Sequence, residues 1–237
     1  MRAIIMAAGR GTRISKNIAD IPKCLVEVGD TQLIKHTIQT LRNTDVNDIA
    51  ITVGYKHTQI TDALANDSID FVYNPFFNVT NSIASLWFAR HLIKEDEDLV
   101  LANGDVFYNE ELIKMLQEDE REVVMLSDKR RVADGDYFFN TNENNEITAY
   151  GKDLELENRT CEYVGIARIK SSFVKTFMDK LEEMINEQKN SVWWENVLYE
   201  LSETYPIYST DVGDIFWAEV DFIEDYHRIL DYIKNNQ

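Results

Sequence analysis

Ala3-Ile4-Ile5-Met6-Ala7-Ala8-Gly9-Arg10-Gly11-Thr12-Arg13 is an apolar run of strand length that breaks into a glycine loop carrying two arginines. Glycines after a strand let the backbone come close to a phosphate with its N–H groups pointing inward, and the arginines add two cations at the same mouth. A glycine turn after a strand is ordinary by itself. Ile14 stands where the third glycine of a dinucleotide fingerprint belongs, and no Gly-Lys-Ser/Thr follows to make a P-loop. The loop is therefore suited to phosphate by a different design, and a nicotinamide-dependent oxidoreductase is disfavoured.

Further apolar runs lie at Ile49–Val53, Phe71–Tyr73, Leu99–Ala102 and Val123–Leu126, and between them the spacing turns helical near 31–43, 56–65, 81–94 and 109–117. Strands alternating with helices predict a doubly wound, mostly parallel mixed α/β sheet, whose ligands sit beyond the carboxyl ends of the strands. The residues just after Ala8, Val53, Tyr73 and Ala102 should then line one crevice. From about 127 to 161 the chain becomes charged and irregular, with weak strand signals, which reads as a small β-rich insertion in a single domain spanning 1–237. A strand at 163–169, helices near 171–187 and 191–203, strands at 205–209 and 215–220 and a helix near 222–234 complete the expected order.

With 24 basic against 42 acidic side chains, the formal charge is -18. That charge repels nucleic acid and anionic membranes, so neither is expected as a partner. A small phosphorylated ligand remains open, because fields are local over a Debye length of roughly 8 Å and a bound divalent ion can invert them. Cys24 and Cys161 form no metal or disulfide pattern, and no run approaches the roughly 18 apolar residues of a membrane span. The apolar start is too short for a signal peptide, so a cytoplasmic location is expected.

Ten residues beyond Arg13 comes Pro22-Lys23-Cys24-Leu25-Val26, a lysine presented after a rigid turn. The composite of Ala7–Arg13 and Pro22–Val26 resembles the signature of the sugar-phosphate and phosphocholine nucleotidyltransferase family, AAGxGTR followed by PKxL. The resemblance implies a Rossmann-like fold of the nucleotide-diphospho-sugar transferase type. It also implies that Ala8, Gly9, Gly11 and Thr12 wrap a nucleoside triphosphate, that Arg13 holds the departing phosphates, and that Lys23 bridges the transferred phosphoryl group and the acceptor. The chemistry suits those roles: attack at the α-phosphorus builds negative charge on oxygen, and catalysis there is mostly positioning plus cationic stabilisation. An acceptor phosphate is already an anion, so no nucleophilic triad is needed, and none is visible.

Asn103-Gly104-Asp105 follows one strand, and Trp217-Ala218-Glu219-Val220-Asp221 ends another. Magnesium favours one or two carboxylates plus phosphate oxygens and water. By resemblance, Asp105 and Asp221 would hold Mg2+; Glu219, counted one strand step from Asp221, is expected to face away. Asp221 is equally suited to capping the helix that follows.

Gly54-Tyr55 and Asn74-Pro75 follow two strands and are placed to edge a nucleobase. The polar run Phe76–Trp87, with Asn81 and Ser82, resembles the corresponding loop of the phosphocholine and aminoethylphosphonate cytidylyltransferase branch, which favours CTP. For the acceptor, the candidates are Lys152 and the string Trp193-Trp194-Glu195, whose indole faces suit a quaternary ammonium, with Glu195 balancing its charge. Paired tryptophans also commonly pack in cores. The expected reaction is thus transfer of CMP from CTP to phosphocholine or a related amino-alcohol phosphate or phosphonate, with pyrophosphate released. The alternatives are a sugar-1-phosphate nucleotidyltransferase using UTP or dTTP, or a non-catalytic nucleotide sensor. Related enzymes commonly form homodimers, though no interface is identifiable in the sequence.

Overall fold

The structure is a computed structural model describing residues 1–11 and 21–236. Its elements run β1 (Arg2–Ala7), β2 (Glu27–Val28), β3 (Thr31–Gln32), α1 (Leu33–Asn43), β4 (Asp48–Val53), α2 (His57–Ala63), β5 (Asp70–Tyr73), α3 (Ser82–Ala89), β6 (Leu99–Asn103) and β7 (Val106–Tyr108). There follow α4 (Glu110–Glu118), β8 (Val123–Asp128), β9 (Phe138–Thr141), β10 (Ile147–Gly151), β11 (Cys161–Ile169), α5 (Ser171–Asn186), α6 (Asn196–Leu201), β12 (Tyr208–Asp211), β13 (Trp217–Glu219) and α7 (Ile223–Asn236).

β1 shows why the sheet is buried on both faces. All six of its residues are buried, and their alternation splits them between two cores. Ile4 and Met6 join the layer containing α3, α5 and α6, whereas Ala3, Ile5 and Ala7 join the layer containing α1 and α4. The strand order β10-β9-β11-β6-β1-β4-β5 belongs to a nine-stranded sheet in which β8 and β12 are attached beside β11. Strands β6, β1, β4 and β5 run parallel, and β11 is antiparallel to β6, β8 and β9.

Register aligns the strand ends that matter. Ala7 lies opposite Val53, Val53 opposite Tyr73, and Met6 opposite Asn103. The loops that follow therefore leave the sheet at one level, as the crevice rule predicts.

The 127–161 segment does not form a separate unit. Its β9–β10 hairpin extends the main sheet through pairing of Cys161 with Phe139, and residues 127–128 still belong to β8. Two expected helices are shorter than their periodicity suggested. The first ends as α3 at Ala89 and tightens into a 3-10 turn at Arg90–Leu92. The second begins only at Asn196, because the Asn196 side chain accepts the Trp193 backbone N–H at 3.1 Å and holds residues 193–195 in a turn. Among the described residues no helix is long and apolar enough to cross a membrane.

Candidate active site

Lys23 sits in a 3-10 turn, Lys23–Leu25, entered from Pro22, whose φ of -53° suits a ring-locked backbone. Its side chain passes directly over Gly11. A Cβ at Gly11 would lie 2.4 Å from Lys23 Cγ, and the residue's φ of 58° disfavours any other side chain. The loop glycine and the lysine twelve positions on thus fit as one unit.

The ammonium of Lys23 reaches Asp105 at 3.1 Å and forms a closer pair with Asp221. A small antiparallel ladder brings these acids together. β13 pairs with β7 so that Glu219 faces Val106, and the Val220 N–H donates to the Asp105 carbonyl at 2.8 Å. One carboxylate oxygen from each of Asp105, Glu219 and Asp221 lies within 4.8 Å of the others. The expectation that Glu219 faces away is therefore corrected. Residues 219 and 221 are two positions apart, and side chains two apart on an extended segment share a face.

Charge is not balanced within this trio. Burial works to lower the Lys23 pKa, but Asp105 and Asp221 more than offset it and the ammonium is held well into its charged range. Burial pushes the Glu219 carboxyl well above the usual carboxylate range, with Asp105 and Asp221 adding to the rise. Even with Glu219 driven toward its neutral form, one lysine faces two aspartates, and the surplus is what a divalent cation would compensate. Three hard carboxylate oxygens are also the donor type that magnesium accepts. Neighbouring Cys24 takes no part, since burial raises its thiol pKa to about 12.

Two cavities meet at this point. The smaller, of 200 Å³, is lined by Ala8, Gly9, Thr52, Phe77, Asn81, Ser82 and Ser85. The larger, of 310 Å³, has Lys23, Glu219 and Asp221 on one side and Tyr137, Lys152, Tyr163, Trp193, Glu195 and Tyr199 on the other. Asn103, Trp193, Glu195 and Glu219 line both. A third space of 100 Å³ runs between Gly9, Gly11, Lys23 and Asp105.

The predicted nucleotide residues divide. Ala8, Gly9, Asn81 and Ser82 line the smaller cavity. Asn81 also caps α3, accepting the Ser82 N–H at 2.8 Å, while Ser82 Oγ accepts the Trp194 backbone N–H at 2.9 Å. Gly54 and Tyr55 brace the loop instead. The Tyr55 N–H donates to the Ala8 carbonyl at 3.0 Å, and a Cβ on Gly54 would meet that same oxygen at 2.6 Å. Asn74, expected at the base edge, is fully buried and organises its own loop through Thr80, Ser85 and the Phe76 N–H. Thr12 and Arg13 lie outside the described residues.

The two tryptophans also part company. Trp193 is 40% exposed, packs edge-on to Tyr137 at 5.7 Å and has Lys152 Nζ 5.3 Å from its ring centre. Trp194 is fully buried in the core, so it does not line the cavity, in contrast to the expectation of an acceptor contact. Its indole N–H donates to Asn103 Oδ1 at 2.8 Å, and Asn103 Nδ2 donates to Glu195 Oε1 at 3.0 Å. Lys152 pairs with Asp136 at 2.5 Å. Burial raises the Glu195 pKa to about 7, an effect that the Asn103 hydrogen bond partly opposes.

Sequence reasoning missed Tyr137, Tyr163, Tyr199 and Asn103. Asn103 was within reach, since it stands at the carboxyl end of β6 beside Asp105. Tyr199 follows Glu195 by four positions, a helical neighbour. Tyr137 and Tyr163 come from β9's approach and β11, and no local pattern links them.

The chain is similar to known proteins over nearly its whole length. A CTP:phosphoglutamine cytidylyltransferase from Campylobacter jejuni is 26% identical, aligned over 95% of this chain and 97% of the relative. A choline-phosphate cytidylyltransferase from Streptococcus pneumoniae is 26% identical over 99% of each. Among solved structures, the CTP:phosphocholine cytidylyltransferase of Streptococcus pneumoniae superposes with a TM-score of 0.81 at 20% identity, covering 98% of both chains, which supports the fold. Residues 3–198 match the family model described as the MobA-like NTP transferase domain, and the chain belongs to that family.

Proposed function

We propose that this nucleotidyltransferase moves CMP from CTP to a small phosphorylated acceptor bearing a cationic end, phosphocholine or a related amino-alcohol phosphate or phosphonate. The observation carrying the reading is the junction itself: Lys23 and three carboxylates stand between a polar cavity at the glycine loop and an aromatic, acidic cavity opposite. The whole-length similarity to cytidylyltransferases supports CTP as the donor.

In this reading the glycine loop binds the triphosphate and the smaller cavity takes the cytidine. An acceptor phosphate or phosphonate oxygen attacks the α-phosphorus, a new P–O bond forms, and the bond to the β-phosphate's bridging oxygen breaks to release pyrophosphate. Lys23 places a fixed positive charge where the phosphoryl oxygens gain negative charge, and it needs no reorganisation to do so. Asp105, Glu219 and Asp221 are the residues that would hold Mg2+, which when bound supplies neutralisation of the triphosphate charge. Tyr137, Trp193 and Tyr199 shield the acceptor's far end from water, and Trp193 offers a ring face to a cation.

The test is pyrophosphate release with CTP, UTP, dTTP, ATP and GTP against phosphocholine, phosphoethanolamine, 2-aminoethylphosphonate and sugar phosphates, with and without magnesium. Release confined to CTP with an amino-alcohol acceptor supports the proposal. Preference for a sugar phosphate with UTP or dTTP would replace it, and turnover undiminished by chelation would remove the metal from it.

A further inference from the structure

Of the acids around the larger cavity, Asp136 pairs with Lys152, Glu162 with Arg131 and Asp221 with Lys23, and Glu219 belongs to the carboxylate trio. Glu195 has no cationic partner among the described residues. It is 6% exposed, and its Oε2 is buried with no hydrogen-bond partner there. The hydroxyl of Tyr163, a residue that lines the same cavity and is 8% exposed, is likewise without a partner.

The orientation of Glu195 follows from a chain of donors. An indole N–H can only donate, so Trp194 fixes which end of the Asn103 amide carries oxygen. The amide nitrogen of Asn103 then donates to Glu195 Oε1, and Oε2 is the oxygen left over. Buried acceptors without donors are costly, and a ligand that supplies the donors is favoured over an isostere that does not. A quaternary ammonium carries charge but no N–H, whereas a primary ammonium carries both.

We infer that the cavity selects a primary ammonium over a quaternary one at the acceptor's far end, with Glu195 and Tyr163 as its hydrogen-bond acceptors. The inference rests on the reading that this cavity takes the acceptor of a cytidylyl transfer. Trp194 acts as a positioning residue, since from the core it fixes Asn103, whose amide in turn holds Glu195 Oε1. The aromatic rings alone would favour either ammonium; the orphaned oxygens separate them.

The experiment is kcat/KM at about pH 8, where Glu195 is a carboxylate and can only accept, with CTP and a methylation series: phosphoethanolamine, its N-methyl and N,N-dimethyl derivatives, and phosphocholine. The expected result is a fall of about tenfold or more across the series, with the largest step at loss of the last N–H. Glu195→Gln keeps an oxygen for Asn103 but offers the ligand an amide, and it should bring the ratio of phosphoethanolamine to phosphocholine toward one. Phosphocholine used as well as phosphoethanolamine by the parent enzyme overturns the inference while leaving cytidylyl transfer intact, and this arm requires no variant to fold. An unchanged ratio in Glu195→Gln overturns the role of that residue. Silence across the series with turnover of a sugar phosphate removes both the inference and the acceptor reading beneath it.

Discussion

The two cavities that meet at Asn103, Trp193, Glu195 and Glu219 are built by different means. Apart from the residues the two share, the glycine-loop side is lined mostly by short groups already engaged in structure: Asn81 caps a helix, Ser82 holds the Trp194 backbone, and Gly54 gives the Ala8 carbonyl room. The opposite side is made of large rings and carboxylates drawn from β11, α6 and the turn at 193–195, and two of its buried oxygens have no partner among the described residues. A side whose polar groups are satisfied by the protein presents one fixed shape to its ligand. A side that leaves acceptors unsatisfied waits for a ligand with the right donors. The first arrangement suits a nucleotide loop, and the second suits discrimination among acceptors.

Removing the cation beside the carboxylate trio should have the largest effect. Lys23→Ala is expected to lower kcat by about a hundred- to a thousandfold, the usual cost of losing a fixed charge-stabilising donor. The folded content by circular dichroism should be unchanged, and near-normal turnover in a folded variant would sink the assignment of Lys23.

Trp194→Ala should instead act through stability. It empties a fully buried indole site and strands Asn103 Oδ1, so the expected loss is about 3–5 kcal/mol in urea unfolding. A loss under about 1 kcal/mol would mean that Trp194 is not the core residue described.

The acceptor side should also report pH. Glu195 keeps its proton in the folded state up to about pH 7, whereas the unfolded chain releases it near 4.5. Stability is therefore lost as pH rises from about 4.5 to 7, and the full penalty, about 3 kcal/mol at most, stands above pH 7. Glu195→Gln removes that penalty, so it should be more stable than the parent at pH 8, with the difference vanishing near pH 4.5. Equal stability differences at both pH values would contradict the buried, uncompensated carboxyl.

Trp193→Ala should have the smallest effect. One exposed ring face contributes about 0.5–2 kcal/mol to a cation, so the acceptor KM should rise up to about thirtyfold; because Trp193 also lines the smaller cavity, the KM for CTP should rise as well, by a smaller factor. Equal rises in both would erase the distinction between the two cavities.

How much could be read beforehand follows from how local each signal is. Ala3–Gly11 and Pro22–Val26 are contiguous strings whose spacing carries both fold and chemistry, and the structure confirms their contact down to Lys23 lying over Gly11. Asp105 and Asp221 were legible as acids after strands. Glu219 was misassigned because its partner strand, β7, was not recognised, although the alternation of side chains alone would have placed it with Asp221.

The sequence by itself determined the α/β architecture, the glycine loop after the first strand and the acids at the strand ends, because strand periodicity, glycine conformational freedom and residue chemistry act over a few positions. Tertiary structure alone decided that Trp193 faces the cavity while Trp194 enters the core, that Gly54 and Asn74 support their loops, and that Tyr137, Tyr163 and Tyr199 surround Glu195. Those outcomes depend on the turn at 193–195, on the β7–β13 and β11 registers, and on which polar atoms find partners 91 and 92 residues away, distances over which no local pattern carries information.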